Sequence, residues 1–210
     1  MSDTPSQTGI VNGALADLGS TTRLQSIDDR GNTAAQARQH WSDVVRELLP
    51  AHTWNFAIRR TVLPLQEELP AGLGWKYAYA LPVDNMRWLV PNREETDLWF
   101  EGEEEGGRIL TNREAPLPLR YISAELGMTV SRWPAHFVKA VRTELAARMA
   151  DAVTQSESIT DRARKSADAA LKLAKRTDGL QTGRTSRSAL AVKSDWLSAA
   201  HWPSPRAGWR

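Results

Sequence analysis

The side chains that most often perform acid–base or metal chemistry are scattered through this sequence. Histidine occurs four times, as His40, His52, His136 and His201, and no two lie at the i,i+4 spacing of a helical metal site. Cysteine is absent, which excludes disulfides, thiolate catalysis, iron–sulfur clusters and cysteine-ligated zinc. The sequence also lacks phosphate-binding glycine loops and the Gly-x-Ser-x-Gly nucleophile motif. We therefore predict no catalytic, cofactor-binding or metal-binding residues, and a protein that is not an enzyme.

Neighbouring carboxylates are the one pattern that could support hydrolysis. They occur at Asp28/Asp29, Glu67/Glu68 and Glu94/Glu95 and over Glu103–Glu105. A glycosidase needs one carboxylic acid with a raised pKa in an apolar cleft and a second carboxylate across that cleft. These pairs lie in hydrophilic stretches, where we expect solvated side chains. A hydrolase stays open as an alternative, with its acidic pair among Glu94, Glu95, Asp97 and Glu101.

Composition and charge narrow the class of protein. The 210 residues suit one domain or two small ones, and the mean hydropathy is −0.47. No apolar run approaches the roughly 18 residues of a membrane helix, and the first ten residues lack the pattern of a secretory signal, so we expect synthesis in a cytoplasm.

Residues 1–105 carry 9 basic and 16 acidic side chains, whereas residues 106–210 carry 18 basic and 9 acidic side chains. The two halves should therefore present opposite electrostatic fields to partners.

The hydrophobic pattern divides the chain into helical and β-rich parts. Helical spacing predicts helices over residues 9–18, from residue 32 or 33 to 49, over residues 133–154, and from Ser156 or Ser158 to about Arg176, with Gly179 and Gly183 marking the end. Between them, short apolar runs separated by Pro and Gly predict a small antiparallel sheet, with a strongly acidic hairpin tip at residues 101–107. We thus predict an α+β fold: a mainly α-helical bundle from residues 1–53 and 123–178, an inserted β subdomain over residues 54–122, and an extended C-terminal arm over residues 179–210.

The predicted C-terminal arm combines positive charge with tryptophan side chains that could anchor it to a partner. From Arg162 to Arg210 the chain has 11 basic and 3 acidic residues, and three of its nine tryptophans lie in the last 15 residues. This composition fits a phosphate-binding segment, a solvated tail, or an arm that becomes ordered when it docks on a partner. The tryptophans favour docking, because Trp is enriched among the anchors of interfaces. The predicted docking residues are Arg184, Arg187, Leu190, Trp196, Leu197, Trp202 and Trp209.

The order of segments resembles a known family. The relevant stretches are ALADLGS, WSDVVRELL, Trp54-Asn55-Phe56-Ala57, Tyr79-Ala80-Leu81-Pro82 followed by Asp84 and Arg87, Leu110-Thr111, and FVKAVRTELAARMA. Together they resemble the head-to-tail adaptors of tailed phages, the tail accessory factors also called tail tubular protein A. The resemblance covers roughly residues 8–178, and the quoted motifs look structural, so it implies no catalytic residue.

The resemblance implies a structural virion protein of the phage neck, assembled in the host cytoplasm. About a dozen copies, a dodecamer, would form a homo-oligomeric ring below the portal protein. The ring would extend the DNA channel without sequence recognition, help retain the genome until ejection, and present a platform to the next tail or nozzle protein. The C-terminal segment is the part that typically reaches the portal in this family.

Three questions stay open at the level of sequence. Glu101, Glu103, Glu104 and Glu105 could face the channel or contact the downstream tail protein, or they could be an ordinary solvated turn. A peptidoglycan hydrolase carried in the tail is the enzymatic alternative. A sequence-independent DNA-binding protein, using the basic C-terminal half, is the other alternative.

Overall fold

Helices stand at both ends of the described chain and short strands lie between them. The computed structural model describes residues 4–90 and 99–181. Its helices are α1 (Gln7–Asp17), α2 (Asn32–Leu48), α3 (Ala124–Gly127), α4 (Ala135–Thr154) and α5 (Glu157–Gln181), with single 3₁₀ turns at Asn55–Ala57 and Val130–Arg132. Within the described ranges, none of these helices combines the length and apolar character that crossing a bilayer requires.

The strands form two antiparallel sheets. They are β1 (Ile58–Leu63), β2 (Glu67–Glu68), β3 (Tyr77–Ala80), β4 (Asn85–Trp88), β5 (Gly102–Glu105), β6 (Arg108–Thr111) and β7 (Leu117–Ser123). The first sheet has the order β1-β7-β4, and the second has the order β2-β3-β6-β5. Helices and antiparallel sheets occur together, so the prediction of a mixed α+β fold is confirmed.

Helix α4 is the centre of the larger core. Its residues Phe137, Val141, Leu145 and Met149 are fully buried and recur at helical spacing. They pack with α1, α2 and α5, and Trp54 is buried beside them. Fully burying a side chain of this size contributes roughly 1.5–3 kcal/mol. This buried stripe therefore contributes substantially to the stability of the helical part.

A smaller core lies between the two sheets. It contains Leu63, Tyr79, Phe100, Ile109, Leu117, Leu119 and Tyr121. Strand β7 connects it to the helices, because Tyr121 points into this smaller core and its neighbour Ile122 points into the larger one. The first sheet thus shares one face with each core.

Two expectations need correction. Helix α5 does not end near Arg176 but continues through Gly179 to Gln181, since contacts of its last turn described below hold it in place. The acidic run is not a hairpin tip: Glu103–Glu105 form strand β5, paired with β6. The tip is Gly106-Gly107, whose φ angles of 57° and 76° suit the two-residue turn that connects twisted strands.

Candidate functional site

The last turn of α5 is fixed to the Trp54–Ala57 segment through a buried carboxylate. Asp178 is only 1% exposed. The backbone N–H of Asn55 lies 3.2 and 3.3 Å from its two carboxylate oxygens, and the Asn55 side-chain amide donates to the Asp178 carbonyl at 2.8 Å. These bonds join positions 123 residues apart. They fix the last turn of α5 against the segment that follows α2.

Two histidines flank the same carboxylate. The Nε2 atoms of His52 and His136 lie 3.4 and 3.5 Å from Asp178 oxygens. Burial lowers the pKa of His52; the Asp178 charge opposes this, while Lys175 and Arg87 reinforce it. His52 is therefore favoured in its neutral form. Within residues 4–90 and 99–181, no group of three or more His, Asp or Glu side chains is arranged to hold a metal ion.

Trp54 ties this region to the helices. Its indole N–H donates to the Leu48 carbonyl at 2.8 Å and so satisfies a backbone acceptor at the end of α2. Its ring meets Phe137 edge-on, with centroids 4.9 Å apart, and His52 at 4.8 Å. The Trp54–Ala57 motif therefore positions the ends of α2 and α5 against α4.

The second motif, residues 79–87, places Asp84 in a hydrogen-bond network on one face of the first sheet. Its carboxylate accepts from the Ser123 hydroxyl, from Tyr121 at 2.9 Å, and from Arg59 at 3.2 Å. Burial disfavours the carboxylate, but these hydrogen bonds and the Arg59 charge outweigh burial and lower its pKa. Arg59 also binds Glu125 at 2.7 Å. On this face of the sheet, Arg59 therefore has two carboxylate partners within the chain.

The opposite face of the same sheet carries three arginines. Arg60 on β1 and Arg120 on β7 are direct cross-strand partners, and Arg87 on β4 shares their face because it pairs with Ile122. All three line an open groove of about 700 Å³, together with His52, Asn55 and Gly179. Among the described residues, no aspartate or glutamate lines this groove. We call it the arginine groove; it adjoins the end of α5.

The acidic residues predicted as a contact surface lie along an edge. Strand β5 pairs with β6 alone within the described sheet, and Glu101, Glu103, Glu104 and Glu105 are all exposed. Glu103 accepts from the Trp75 indole at 3.3 Å. The structure brings these four carboxylates together on one solvent-facing edge.

A shallow pocket borders this edge. It has a volume of about 430 Å³, and its lining includes Trp75, Trp99, Phe100, Glu101 and Arg113. Glu101 is its one carboxylate among the described residues. Of the four residues considered for hydrolysis, Glu94, Glu95 and Asp97 lie outside the described residues.

The predicted docking arm also falls outside the described residues. This applies to Arg184, Arg187, Leu190, Trp196, Leu197, Trp202 and Trp209. Those docking residues therefore stay a prediction.

Sequence reasoning missed the two arrangements that meet at the end of α5. Asp178 carried one signal: a carboxylate in the last turn of a helix is unfavourable beside the helix dipole unless it has a partner. The sequence contains no comparable signal for the three arginines of the groove, because only the strand register places Arg60, Arg87 and Arg120 on one face. No protein-family model matches the chain, and no curated protein matches it.

Proposed function

We propose that this protein is a structural head-to-tail adaptor of a tailed-phage virion. The observation that carries the proposal is the convergence of both family-like motifs at the end of α5. Asn55 of the first motif holds Asp178, and Arg87 of the second lines the adjoining groove. A firmly held last turn of α5 suits a chain whose residues 182–210 would act as a docking arm.

The finer architecture belongs to the same proposal. The helices form a bundle, residues 54–122 form an inserted β subdomain, and the C-terminal residues form the arm that reaches the portal protein. About twelve copies close into a ring that continues the DNA channel without reading sequence, and the ring receives the next tail protein. The acidic edge of β5 faces either the channel, where it would repel DNA, or that tail protein.

Ring formation is supported by the charge distribution. A ring joins two different surfaces of each subunit by a heterologous contact. The acidic edge of β5 and the arginine groove are two such surfaces of opposite sign. Complementary charge favours correct register and rapid association more than raw affinity.

Co-sedimentation with the portal protein of the same virus tests the proposal. The full chain is compared with a chain truncated after Gln181, since Gly179 lies inside α5. A third chain keeps the composition of residues 182–210 in shuffled order, which separates sequence-specific docking from general positive charge. We expect a discrete ring complex with the full chain only.

The other outcomes are informative. Binding by all three chains places docking in the body and removes the role of the arm. Binding by the shuffled chain, but not the truncated one, reduces the arm to an electrostatic tether. Failure of the full chain to bind its cognate portal contradicts the adaptor proposal.

A tail-associated peptidoglycan hydrolase is the second candidate, favoured by the pocket around Glu101. Tryptophan faces such as those of Trp75 and Trp99 can stack on sugar rings, and Glu101 supplies a carboxylate. The candidate predicts that purified protein clears a cell-wall suspension and that Glu101→Gln reduces the rate at least 100-fold. Clearing that is absent, or equal in both proteins, contradicts it. Lys139→Gln, on the distant helix α4, serves as the control.

A further inference from the structure

We propose that one flank of helix α5 is the surface that receives the acidic edge of β5 from a neighbouring copy of this chain. We call this surface the α5 flank, and it consists of Arg162, Lys165, Ala169, Lys172, Leu173 and Arg176. The inference rests on the proposed function, because it names the two surfaces that would meet between adjacent subunits of the ring.

The charges of α5 are separated around the helix. At about 100° per residue, the six positions of the α5 flank fall within about one third of the circumference, and the carboxylates of Glu157, Asp161 and Asp168 fall outside it. Asp161 lies 3.9 Å from Arg164, which is also outside the flank. The four cations of the flank are exposed and have no carboxylate partner among the described residues. The flank therefore presents positive charge that the described part of the chain does not neutralise.

Apolar side chains lie among these cations. Leu173 is 54% exposed and belongs to neither core, and Ala169, about one turn earlier, is also exposed. The face of α5 that packs on α4 is a different one, marked by the buried Ala167 and Ala174. A phosphate backbone would engage the cations alone and leave Leu173 without a contact. Apolar groups within a charged surround are typical of protein–protein interfaces, so the flank suits a protein partner.

The acidic edge of β5 offers the complementary surface. Its glutamates Glu103–Glu105 are exposed, and the first of them accepts a hydrogen bond from the Trp75 indole at 3.3 Å. Leu73, two residues before Trp75, is 63% exposed. The edge thus combines carboxylates with apolar side chains, as the flank combines cations with Leu173. Such matched surfaces favour a single register of association.

The sign of the charges decides how two copies would meet. Two α5 flanks facing each other would bring four cations against four, so a symmetric pair through this helix is unfavourable. A flank that meets an edge leaves one flank and one edge free on each pair of subunits, and further copies can occupy them. This is the heterologous contact from which a closed ring is built.

Cysteine crosslinking of the full-length protein tests the contact, because the sequence contains no cysteine. One chain carries Ala169→Cys, and a second chain, with a tag that changes its mass, carries Glu105→Cys; both positions are exposed. The two are mixed, with and without the portal protein, and treated with a short bismaleimide. In the control mixture Arg60→Cys, in the arginine groove, replaces Ala169→Cys.

We expect the Ala169→Cys and Glu105→Cys chains to form a covalent pair about fivefold more abundant than either homodimer or the pair with Arg60→Cys. Adding Lys165→Glu/Lys172→Glu to the first chain should lower the yield about fivefold, and adding Glu103→Lys/Glu104→Lys to the second chain as well should restore it.

A matched control makes the same change of charge elsewhere. Arg23→Glu/Arg30→Glu alters two exposed arginines between α1 and α2, and it should leave the yield unchanged. A loss of crosslinking as large as that caused by Lys165→Glu/Lys172→Glu would reduce the effect to net charge and overturn the assignment to the α5 flank.

The inference and the proposed function fail in different ways. A complex with the portal protein that forms without the crosslink between positions 169 and 105 overturns the inference and leaves the adaptor function in place. The crosslink in a chain that does not bind the portal supports the contact and contradicts the adaptor function. Absence of the crosslink from both mixtures, a dominant Ala169→Cys homodimer, or stronger crosslinking of Arg60→Cys overturns the contact.

Discussion

Adjacent arginines on β1 have opposite surroundings. Arg59 points to the face where Asp84 and Glu125 accept its hydrogen bonds. Arg60 points to the face where its cross-strand partner is Arg120. Since side chains alternate along a strand, one step in sequence separates an arginine with two carboxylate partners from an exposed arginine with no carboxylate partner among the described residues. The comparison teaches that residue type alone does not distinguish an arginine that stabilises the fold from one that does not.

The largest effect on stability is expected on the face of the first sheet that carries Asp84. Asp84→Asn removes the charge that Ser123, Tyr121 and Arg59 share as donors, so we expect the free energy of unfolding to fall by about 2 kcal/mol. Urea unfolding at pH 7 measures this, and the exposed Asp28→Asn is the control. A loss below about 0.5 kcal/mol would show that the network does not stabilise this face.

The same variant has a pH signature. The pKa of Asp84 is lowered in the folded protein, so its contribution is present above the pKa of the unfolded carboxyl, about 3.9. That contribution is lost as the pH falls through this range. The stability difference between wild type and Asp84→Asn should therefore shrink on acidification toward pH 3.

A paired substitution sharpens the comparison directly. Arg59→Gln breaks its bonds to Asp84 and Glu125, so the protein should become less stable. Arg60→Gln changes an exposed side chain that has no carboxylate partner among the described residues, so stability should change by less than about 0.5 kcal/mol. Both chains lose one positive charge from the same strand, and denaturant midpoints at low salt report the difference. Equal losses in the two chains would remove the distinction between the faces.

The smallest effect concerns His52, which borders the arginine groove. Burial lowers its pKa in the folded protein, so below about pH 6.5 the unfolded chain binds more protons than the folded one. Stability should therefore decrease as the pH falls from 6.5. The charged groups that face His52 are Asp178, Lys175 and Arg87, and His136 contacts the same carboxylate.

Unfolding measured in steps from pH 7.5 to pH 5 checks this expectation. His52→Asn should flatten the profile, whereas His40→Asn, on α2 away from this carboxylate, should leave it unchanged. An unaltered profile in His52→Asn would assign the titration to another group.

The helices and the larger core could be predicted from the sequence because their signals are local. Pro50 stops α2 two residues after its last helical residue, and the stripe that includes Phe137 is the buried face of α4. The quoted motifs look structural in the sequence, and their Trp54 and Tyr79 are fully buried. In each case the hydrophobic period and the size of the side chain were sufficient to predict the helix or the burial.

The end of α5, strand β5 and the arginine groove could not be predicted, because they depend on contacts between residues far apart in the sequence. Glycine normally weakens a helix, but α5 passes Gly179 because Asn55 holds Asp178 just before it. Glutamates are depleted in strands, yet β5 forms because Gly106-Gly107 turns the chain back onto β6. The arginine groove joins positions 60, 87 and 120, and no local pattern specifies the register that brings them together.

The glutamates of β5 have a consequence for solubility. An outermost strand exposes backbone N–H and C=O groups that can recruit a strand from another molecule, which is a route to aggregation. On β5 an incoming strand would meet three consecutive carboxylates, Glu103 to Glu105, and would have to desolvate them. The carboxylates of β5 thus oppose the addition of a strand from another molecule. Copies of the chain can therefore lie close together at high concentration without their sheets joining.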